Sequence, residues 1–438
     1  MVSDVLSSAR ARADRGSNEG SGGPPSSKGF RMRPFVAVFA LLLGACLGAV
    51  VGPASRDPAR LQTQPGHPAH PRMRTERATV ARQEPWAATA IACADEPMTC
   101  AVTTSGELVC WGDNVRSRVP SLPPVALESP TSVTLNERVV DVDISALFCV
   151  ASSDPGSGEP TWQCSARGPT GQLQTVLAAT ARARWIAAGG TYACYGTGSG
   201  RLWCSGELDH RRRSTYAAAE LINAREVVTQ AEVEGAAIGS GFACVHTAGG
   251  VRCWGFGVGL GVPVHPPDGV EAPGEALNLR GVTQLQAGLG HACAVVAGTR
   301  DVYCWGANGF EQAGPQHAGP TIDLPTRYDA LSPALLVRTG LNRTCVLNDQ
   351  QEIVCTRGGG SLAHVDGSHE RVSVERVPSA SGRVAIRDFC VSHEHGCVLY
   401  DDGCVSCWGE HRLHGAAVAS GERARAIVPV PGFACGAQ

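Results

Sequence analysis

The chain has 438 residues, a formal net charge of −3 and 19 cysteines. A charge so close to neutral gives no electrostatic reason to expect binding to nucleic acid or to an anionic membrane surface. Cysteines in such number and regularity are unusual in a reducing compartment, and they favour an exported protein with disulfide bonds. The length would allow two or three ordinary domains, so the internal pattern of the sequence has to decide the architecture.

The chain begins with a segment that predicts export. Residues 1–33 are polar and rich in serine and glycine, which is typical of disorder. Residues 34–52 form an apolar run behind two arginines, as in a signal peptide or a membrane anchor. Within this run, Leu43-Gly-Ala-Cys46 resembles the lipobox of bacterial lipoproteins, so we expect Cys46 to carry lipid.

Two alternatives to lipidation remain open at this stage. The 17 apolar residues of 35–51 reach the lower limit for a membrane-spanning helix, so the segment could stay as an uncleaved anchor. Plain secretion after cleavage is the other alternative. All three routes deliver the rest of the chain outside the cytoplasm. Residues 53–85 contain six prolines among polar residues and predict a stiff, solvated linker.

Residues 86–438 contain a repeated unit. Seven times, two cysteines 9 to 15 positions apart bracket a stretch that tolerates turn conformations. An antiparallel hairpin would place such cysteines opposite each other, at a separation that suits a disulfide. The predicted pairs are Cys100–Cys110, Cys149–Cys164, Cys194–Cys204, Cys244–Cys253, Cys293–Cys304, Cys345–Cys355 and Cys397–Cys407.

The repeat has a period that predicts a β-propeller. Successive first cysteines are 45 to 52 residues apart, and one strand-turn-strand unit per period is typical of one propeller blade. Short apolar runs that end in Gly189, Gly239 and Gly288 precede several of these cysteines and supply a further strand. We expect these glycines to allow close backbone approach near the axis. The sequence therefore predicts an all-β, seven-bladed propeller.

Particular residues give the repeats a family resemblance. His291-Ala-Cys293 and Phe242-Ala-Cys244, four Trp-Gly pairs, Asn114, Asn308 and Gly171-Gln-Leu173 resemble the regulator of chromosome condensation repeat. The resemblance covers residues 86–438 and implies a seven-bladed propeller. Some members of that family bind a GTPase, and a secreted bacterial relative covers β-lactamases with one propeller face. A second cysteine before the tryptophan departs from the common intracellular pattern.

Four cysteines remain after Cys46 and the fourteen hairpin cysteines are set aside. The C-terminal Gly432-Phe-Ala-Cys435 copies Gly241-Phe-Ala-Cys244, the start of a repeat. We expect it to form a strand that pairs into the first blade, with a Cys93–Cys435 disulfide that closes the ring. That pairing leaves Cys390 with Cys404.

The candidates for chemistry are weak. His393, His395 and Cys397 resemble a metal cluster, but His395 occupies the packing position that His291 and Phe242 hold in other repeats. Gly255-Phe-Gly-Val-Gly259 is a poor phosphate loop because no helix follows it, and Asp401-Asp402 falls in a hairpin turn. The sequence contains no Gly-x-Ser-x-Gly motif, which a nucleophile elbow would need. It also shows no pair of acidic residues that recurs or stands out, which hydrolysis of a glycosidic bond would need. We expect no catalytic residue, metal or cofactor.

Surface features favour binding to another protein. The basic run His210-Arg-Arg-Arg213 is most simply a solvated loop. Asn342-Arg-Thr344 matches a glycosylation sequon, which matters little if the host is bacterial. The long variable stretches Pro120–Arg138, Arg211–Gly235, Val262–Arg280 and Gln312–Leu335 are expected to crowd one propeller face. The sequence thus predicts a monomeric, membrane-tethered, extracytoplasmic module that binds an unknown protein and no nucleic acid. An envelope enzyme that acts on sugar or peptidoglycan, and a structural envelope protein, are the alternatives.

Overall fold

Seven antiparallel sheets, each made from a consecutive piece of chain, form the fold. The computed structural model describes residues 85–435 except 95–96, 116–118, 120, 136, 146, 154–159, 168–172, 179–182, 191, 207, 209–223, 264–267, 276, 316–317, 357–373, 378–383, 394 and 410–426. The N-terminal segments 1–33 and 34–52, residues 53–84 of the linker, and with them Cys46, lie outside the described residues. The predicted all-β, seven-bladed propeller is confirmed.

Each sheet is one blade, and its first strand lies nearest the axis. Blades 1 to 3 contain β1 to β12: Ala88–Cys93, Met98–Thr103, Leu108–Asp113 and Ala126–Val133; Val139–Ile144, Phe148–Ser153, Pro160–Arg167 and Leu173–Ala178; Ala183–Gly189, Tyr192–Thr197, Leu202–Gly206 and Arg225–Val227.

Blades 4 to 7 contain the remaining fifteen strands, β13 to β27. They are Val233–Ile238, Phe242–Thr247 and Gly250–Gly255; Val282–Ala287, His291–Val296, Val302–Ala307 and Thr321–Arg327; Leu336–Thr339, Thr344–Leu347, Ile353–Thr356 and Val374–Val377; Ile386–Val391, His395–Tyr400, Val405–Gly409 and Val428–Pro429. In blade 4, isolated bridges at Val270 and Leu277 take the place of a fourth strand. Among the described residues, Val258–Leu260 and Asp329–Leu331 form 3-10 turns.

A disulfide joins the second and third strands of every blade. In each blade the two cysteines are direct partners in the strand register, as for Cys244 and Cys253 or Cys293 and Cys304. The bonds are the seven pairs predicted from the turn-centred spacing. Each sulfur is buried between blades, so the cystines take the place of larger apolar side chains in a core that is rich in alanine and glycine.

The Trp-Gly pairs have a steric explanation. Gly255 and Gly306 have φ angles of 104° and 99°, which side-chain-bearing residues rarely adopt. A Cβ atom built on either glycine would lie 2.4 Å from the carbonyl oxygen of Gly241 or Gly290, respectively. The preceding tryptophans are buried, and Trp305 donates a hydrogen bond across the blade boundary to the Gly259 carbonyl, 2.9 Å away. Gly259 of the predicted poor phosphate loop therefore contributes to the packing between blades 4 and 5.

Neighbouring blades repeat one backbone contact. The N–H that opens a blade donates to the turn carbonyl of the blade before it, as in Val139 to Gly106 at 3.0 Å and Val233 to Gly200 at 2.9 Å. Blade 1 meets blade 7 in the same way, through Ala88 and Gly403 at 2.9 Å. The ring therefore closes with an ordinary blade boundary.

The C-terminal segment differs from its prediction. Blade 7 is completed by its own outer strand β27, so blade 1 receives no extra strand. After β27, Phe433 makes a single parallel bridge to Trp86, and its ring lies 5.7 Å from the rings of both Trp86 and Trp111. The expectation of a strand that pairs into the first blade was wrong, because β1–β4 already form a complete blade.

The predicted pairing of the last four cysteines was also wrong. The structure contains Cys93–Cys390 and Cys404–Cys435. Cys93 and Cys390 lie on neighbouring first strands, one register position apart, since Cys390 is opposite Cys397 and Cys93 follows Ala92, the residue opposite Cys100. Cys390 and Cys407 are both opposite Cys397, on the first and third strands of blade 7. Cys404 precedes Cys407 by three residues, which is roughly 10 Å along the strand, and it lies two strands away from Cys390. It therefore cannot reach Cys390.

Candidate functional site: the axial cavity

A cavity of about 490 Å³ runs along the propeller axis. The first strands of all seven blades form its wall. In each blade the residue opposite the first cysteine lies in this wall, which makes a ring of seven positions: Ala92, Asp143, Ala187, Ala237, Gln286, Arg338 and Cys390. The side chain at this position therefore differs from blade to blade. It is alanine in blades 1, 3 and 4, a charged or amide side chain in blades 2, 5 and 6, and a cysteine in blade 7.

The two faces of the ring differ in their connections. Because the strands of a blade alternate in direction, the links between strands one and two and between strands three and four share one face, here called the loop face. The hairpin turns between strands two and three, together with the start of each first strand, form the opposite hairpin face. Among the four variable stretches, Pro120–Arg138 and Gln312–Leu335 follow a third strand at the loop face, include the outer strands β4 and β19, and end at the hairpin face. The first part of Arg211–Gly235 lies outside the described residues. For Pro120–Arg138 and Gln312–Leu335, the prediction that the stretches crowd a single face holds only for their first parts.

The first strands are irregular near the hairpin face. In six blades the first strand has a bulge just after its start, with one extra residue relative to the second strand. Of these extra residues Arg184 lines the cavity. The full set is Thr89, Val140, Arg184, Glu234, Thr283 and Arg387.

The strands converge at the loop face. A Cβ atom on Gly189 would lie 2.4 Å from the Ile238 carbonyl oxygen, and one on Gly288 would lie 2.3 Å from that of Gly340. The expected close backbone approach near the axis is therefore observed at these two glycines, while Gly239 instead makes room for the ring of Phe242.

Charged side chains line the cavity toward its mouth. Arg338 of blade 6 donates to Asp388 of blade 7 at 2.6 Å, and Asp141 of blade 2 lies near enough to interact electrostatically with both. Burial raises the pKa of the Asp141 carboxyl above its ordinary value, and the charge of Asp388 raises it further, while the Val142 N–H and Arg338 act in the opposite direction. Water reaches Asp141 through the cavity, yet protein surrounds the carboxyl on most sides.

The sequence pattern did not reveal this convergence. Asp141 and Asp143 alternate on β5, and Asp388 lies on β24, 245 residues beyond Asp143. Only the ring closure brings blades 2 and 7 to either side of blade 1. The repeat itself could have indicated the convergence. Asp141 and Asp388 occupy the same register position in their blades, each opposite the residue that comes two positions after the first hairpin cysteine.

The histidine cluster has a packing role. The ligand atoms of Cys93, His395 and Cys397 lie within 4.8 Å of one another, but both sulfurs are in disulfide bonds and are not thiolates. The His395 ring contacts the Ser392 hydroxyl at 2.6 Å and, across the blade boundary, the Thr99 hydroxyl at 2.8 Å.

His291 makes the matching contact between blades 5 and 6. Its Nε2 atom lies 2.9 Å from the Thr344 hydroxyl, which itself donates to the Gln312 carbonyl at 2.7 Å. Nε2 of His291 therefore donates to Thr344. Complete burial lowers the pKa of His291 to about 4, so the ring is neutral at pH 7.

Two asparagines of the family-like motif organise the loop face. Asn114 accepts a hydrogen bond from the Val119 N–H and donates to carbonyls that include Pro123. Asn308 accepts from Ala313 and donates to Gly319 in the corresponding loop of blade 5. Each side chain thus ties together described residues near both ends of the loop that follows the third strand of its blade.

The remaining candidates from the sequence fall into three groups. His210-Arg-Arg-Arg213, and Gly171-Gln of the family-like motif, lie outside the described residues. Asp401 and Asp402 lie in a hairpin turn, where the Asp402 carboxylate accepts from the Cys404 N–H at 2.9 Å. Thr344 of the sequon is fully buried.

Comparison with solved structures supports the fold. No protein-family model and no curated protein matches the chain. Prp20p of Saccharomyces cerevisiae, described with its binding to Gsp1p and histones, shares 14% identity with a TM-score of 0.57, and the match covers 79% of this chain and 87% of that one. The fold is that of the regulator of chromosome condensation propellers.

Other solved propellers align less closely. The yeast protein bound to Kap60 shares 15% identity at a TM-score of 0.46, over 77% of this chain and 74% of that one. The ectodomain of the Arabidopsis thaliana receptor kinase ACR4 shares 17% identity at a TM-score of 0.45, over 80% and 100% of the two chains.

Proposed function

We propose that this chain is an extracytoplasmic protein-binding module that acts through the loop face. The observation that carries the proposal is that large apolar side chains beside the anchored asparagines are exposed on this face. Val115 directly follows Asn114, and Phe310 lies two residues after Asn308; their exposed fractions are 57% and 47%. Leu289, 44% exposed, lies on the same face in the first turn of blade 5.

Such a surface suits a protein partner for two reasons. Apolar and aromatic side chains that stay exposed in a folded protein are characteristic of the centre of an interface. Loops that are already ordered lose little conformational entropy on binding. The neighbour Prp20p is itself described with protein partners, Gsp1p and histones. Nine disulfides indicate an oxidising compartment, so the partner of this chain would be a different, exported protein.

The test compares two faces of the same protein. The full chain, tagged and cross-linked to its partner in envelope extracts, should lose that partner when Phe310→Ser, Leu289→Ser and Val115→Ser are combined. Val228→Ser is the matched control, because Val228 is 84% exposed on the hairpin face. Equal capture by the triple variant and the wild type, or loss only in the control, would contradict the proposal.

We further propose that the module is held at a membrane by residues 34–52, with lipid on Cys46. In the part of the chain that the structure describes, no helix is long and apolar enough to span a membrane. Labelling with a radioactive fatty acid should mark the wild type and not Cys46→Ser. An unlabelled protein that keeps its N-terminus and stays in the membrane fraction would instead identify an uncleaved anchor.

We propose binding rather than catalysis, although one observation favours an enzyme as the second candidate. Asp141, Asp143 and Asp388 line one cavity, as hydrolysis of a glycosidic bond would need. In such an enzyme Asp141, whose pKa is raised by burial, would be the general acid, and Asp388, which is paired with Arg338, would act as the base or nucleophile. Release of soluble sugar from peptidoglycan by the wild type, and its loss in Asp141→Asn, would establish the enzyme instead. A purely structural protein would show neither partner nor turnover.

A further inference from the structure

We propose that the axial cavity binds a small molecule that carries a primary ammonium group, held between Asp141 of blade 2 and Asp388 of blade 7. This site is separate from the loop face, since the carboxylates lie toward the hairpin face. A cavity of about 490 Å³ has the size of ordinary ligand pockets and would hold an amino sugar or a short diamine.

Blade 1 lies between the two carboxylates. At the register position of Asp141 and Asp388 it has Ala90, blade 4 has Gly235, and blades 3, 5 and 6 have Trp185, Gln284 and Leu336. The residues of blade 1 that line the cavity, Ile91, Ala92 and Cys93, are uncharged, so blade 1 places no charged group in the space between the two carboxylates.

The charges on either side of that space are only partly compensated. Arg338 donates to Asp388 at 2.6 Å and also to the Val337 carbonyl at 3.0 Å. Asp141 accepts, among the described residues, one hydrogen bond, from the N–H of Val142 on its own strand. The cavity lining as a whole contains three carboxylates, Asp141, Asp143 and Asp388, and two guanidiniums, Arg184 and Arg338, so an added cation would offset the remaining negative charge.

The rise in the pKa of Asp141 agrees with this arrangement. Its causes are lost hydration and the neighbouring Asp388, and both would be relieved by a positive group in the cavity. The same two causes predict that binding weakens as pH falls, beginning above the pH range in which ordinary aspartates take up a proton.

The spacing favours an ammonium over a metal ion. Within the described residues, the one group of three metal-ligating side chains that converges within 4.8 Å is Cys93, His395 and Cys397. Asp141, Asp143 and Asp388 are spread along the cavity, so they do not form a compact cage of oxygen ligands. An ammonium donates three separate hydrogen bonds and tolerates such spacing.

The other polar groups suit a ligand with hydroxyl or amide groups. Gln286 and Ser145 line the wall beyond the acidic side, and Trp185 supplies a flat apolar surface. The ligand class is therefore an ammonium joined to a polar body, such as a hexosamine.

The experiment is calorimetric titration of the full chain with glucosamine and with cadaverine, compared with N-acetylglucosamine, in which the charge is removed. We expect both amines to bind at least tenfold more tightly than the neutral sugar at pH 7.5, and Asp141→Asn to weaken both by tenfold or more. Glu234→Gln is the matched control, since Glu234 is an acid on the far side of the mouth and does not line the cavity.

A melting measurement separates lost binding from lost folding. The amines should raise the melting temperature of the wild type and of Glu234→Gln, but not that of Asp141→Asn, whose own melting temperature should be unchanged or higher because a desolvated charge is removed. Binding of neither amine, equal binding of the neutral sugar, or unchanged binding in Asp141→Asn would overturn the proposal.

Discussion

The boundary between blades 7 and 1 and the boundary between blades 5 and 6 use the same contact in different covalent settings. His395 and Thr99 meet at 2.8 Å in the first, and His291 and Thr344 at 2.9 Å in the second. Between blades 5 and 6 the chain itself continues from β19 to β20. Between blades 7 and 1 no peptide connection exists, and the Cys93–Cys390 disulfide supplies the covalent link.

The two boundaries also differ in the non-covalent contacts that they make besides the histidine–threonine contact. At the boundary of blades 5 and 6, the Gln284 side chain donates to the Leu335 carbonyl at 2.6 Å and accepts from the Val337 N–H at 3.1 Å. At the boundary of blades 7 and 1, Phe433 packs between Trp86 and Trp111. The boundary of blades 7 and 1 therefore has a covalent link and an aromatic cluster in addition to the contact that it shares with the boundary of blades 5 and 6, at the place where the backbone does not oppose opening.

Removal of the closing disulfide should have the largest effect. The chain-entropy model assigns about 5 kcal/mol to a cross-link that spans most of a domain, against about 3 kcal/mol for a loop of ten residues. Cys93→Ala with Cys390→Ala should therefore lower the urea midpoint more than Cys345→Ala with Cys355→Ala, whose separation is 10 residues against 297. Equal losses would show that the boundary of blades 7 and 1 is no weaker than the others without its cross-link.

Loss of the aromatic contact at the same boundary should cost somewhat less. Phe433 is 6% exposed, and truncation of a buried phenylalanine to alanine typically costs about 3 kcal/mol. Phe310→Ala is the matched control, since Phe310 is 47% exposed and its truncation should cost under about 0.5 kcal/mol. Similar melting temperatures for the two variants would show that the C-terminal segment does not hold the ring closed.

The boundary of blades 5 and 6 should be sensitive to acid through His291. Its folded pKa is about 4 against an unfolded value near 6.5, so its contribution is complete above pH 6.5 and is lost as pH falls toward 4. The shift corresponds to roughly 3 kcal/mol. Unfolding at pH 7.5 and pH 4 should show a smaller difference in His291→Phe, a replacement that copies Phe242 in the same position of blade 4. An unchanged difference would place the acid sensitivity elsewhere.

The shared histidine–threonine contact should give the smallest effect and the most direct test of the comparison. Thr99→Val and Thr344→Val each leave a buried ring nitrogen without its hydroxyl partner, which costs about 1–2 kcal/mol. We expect a loss at both positions in chemical unfolding, and a larger one at Thr344, because its hydroxyl also donates to the Gln312 carbonyl. A cost at Thr344 alone would mean that the disulfide has taken over the role of the contact at blades 7 and 1.

Much of the fold could be predicted from local features. The hairpin cystines follow from short spacings, because two cysteines equally distant from a turn must face each other on paired strands. The steric need for glycine after tryptophan is likewise local, since Gly306 approaches only the backbone of the strand beside it. The period of the repeat then sets the number of blades.

Long-range geometry decided the rest. The pairing of Cys93 with Cys390 depends on which heights the last four cysteines occupy, and the sequence contains no measure of height between different blades. In the same way, Asp141, Arg338 and Asp388 meet because the ring closes and places blades 6, 7, 1 and 2 around one end of the cavity. The blade was determined by contacts within about fifty residues, whereas the closing link and the charged cavity were decided by ring closure, which joins residues that the sequence keeps far apart.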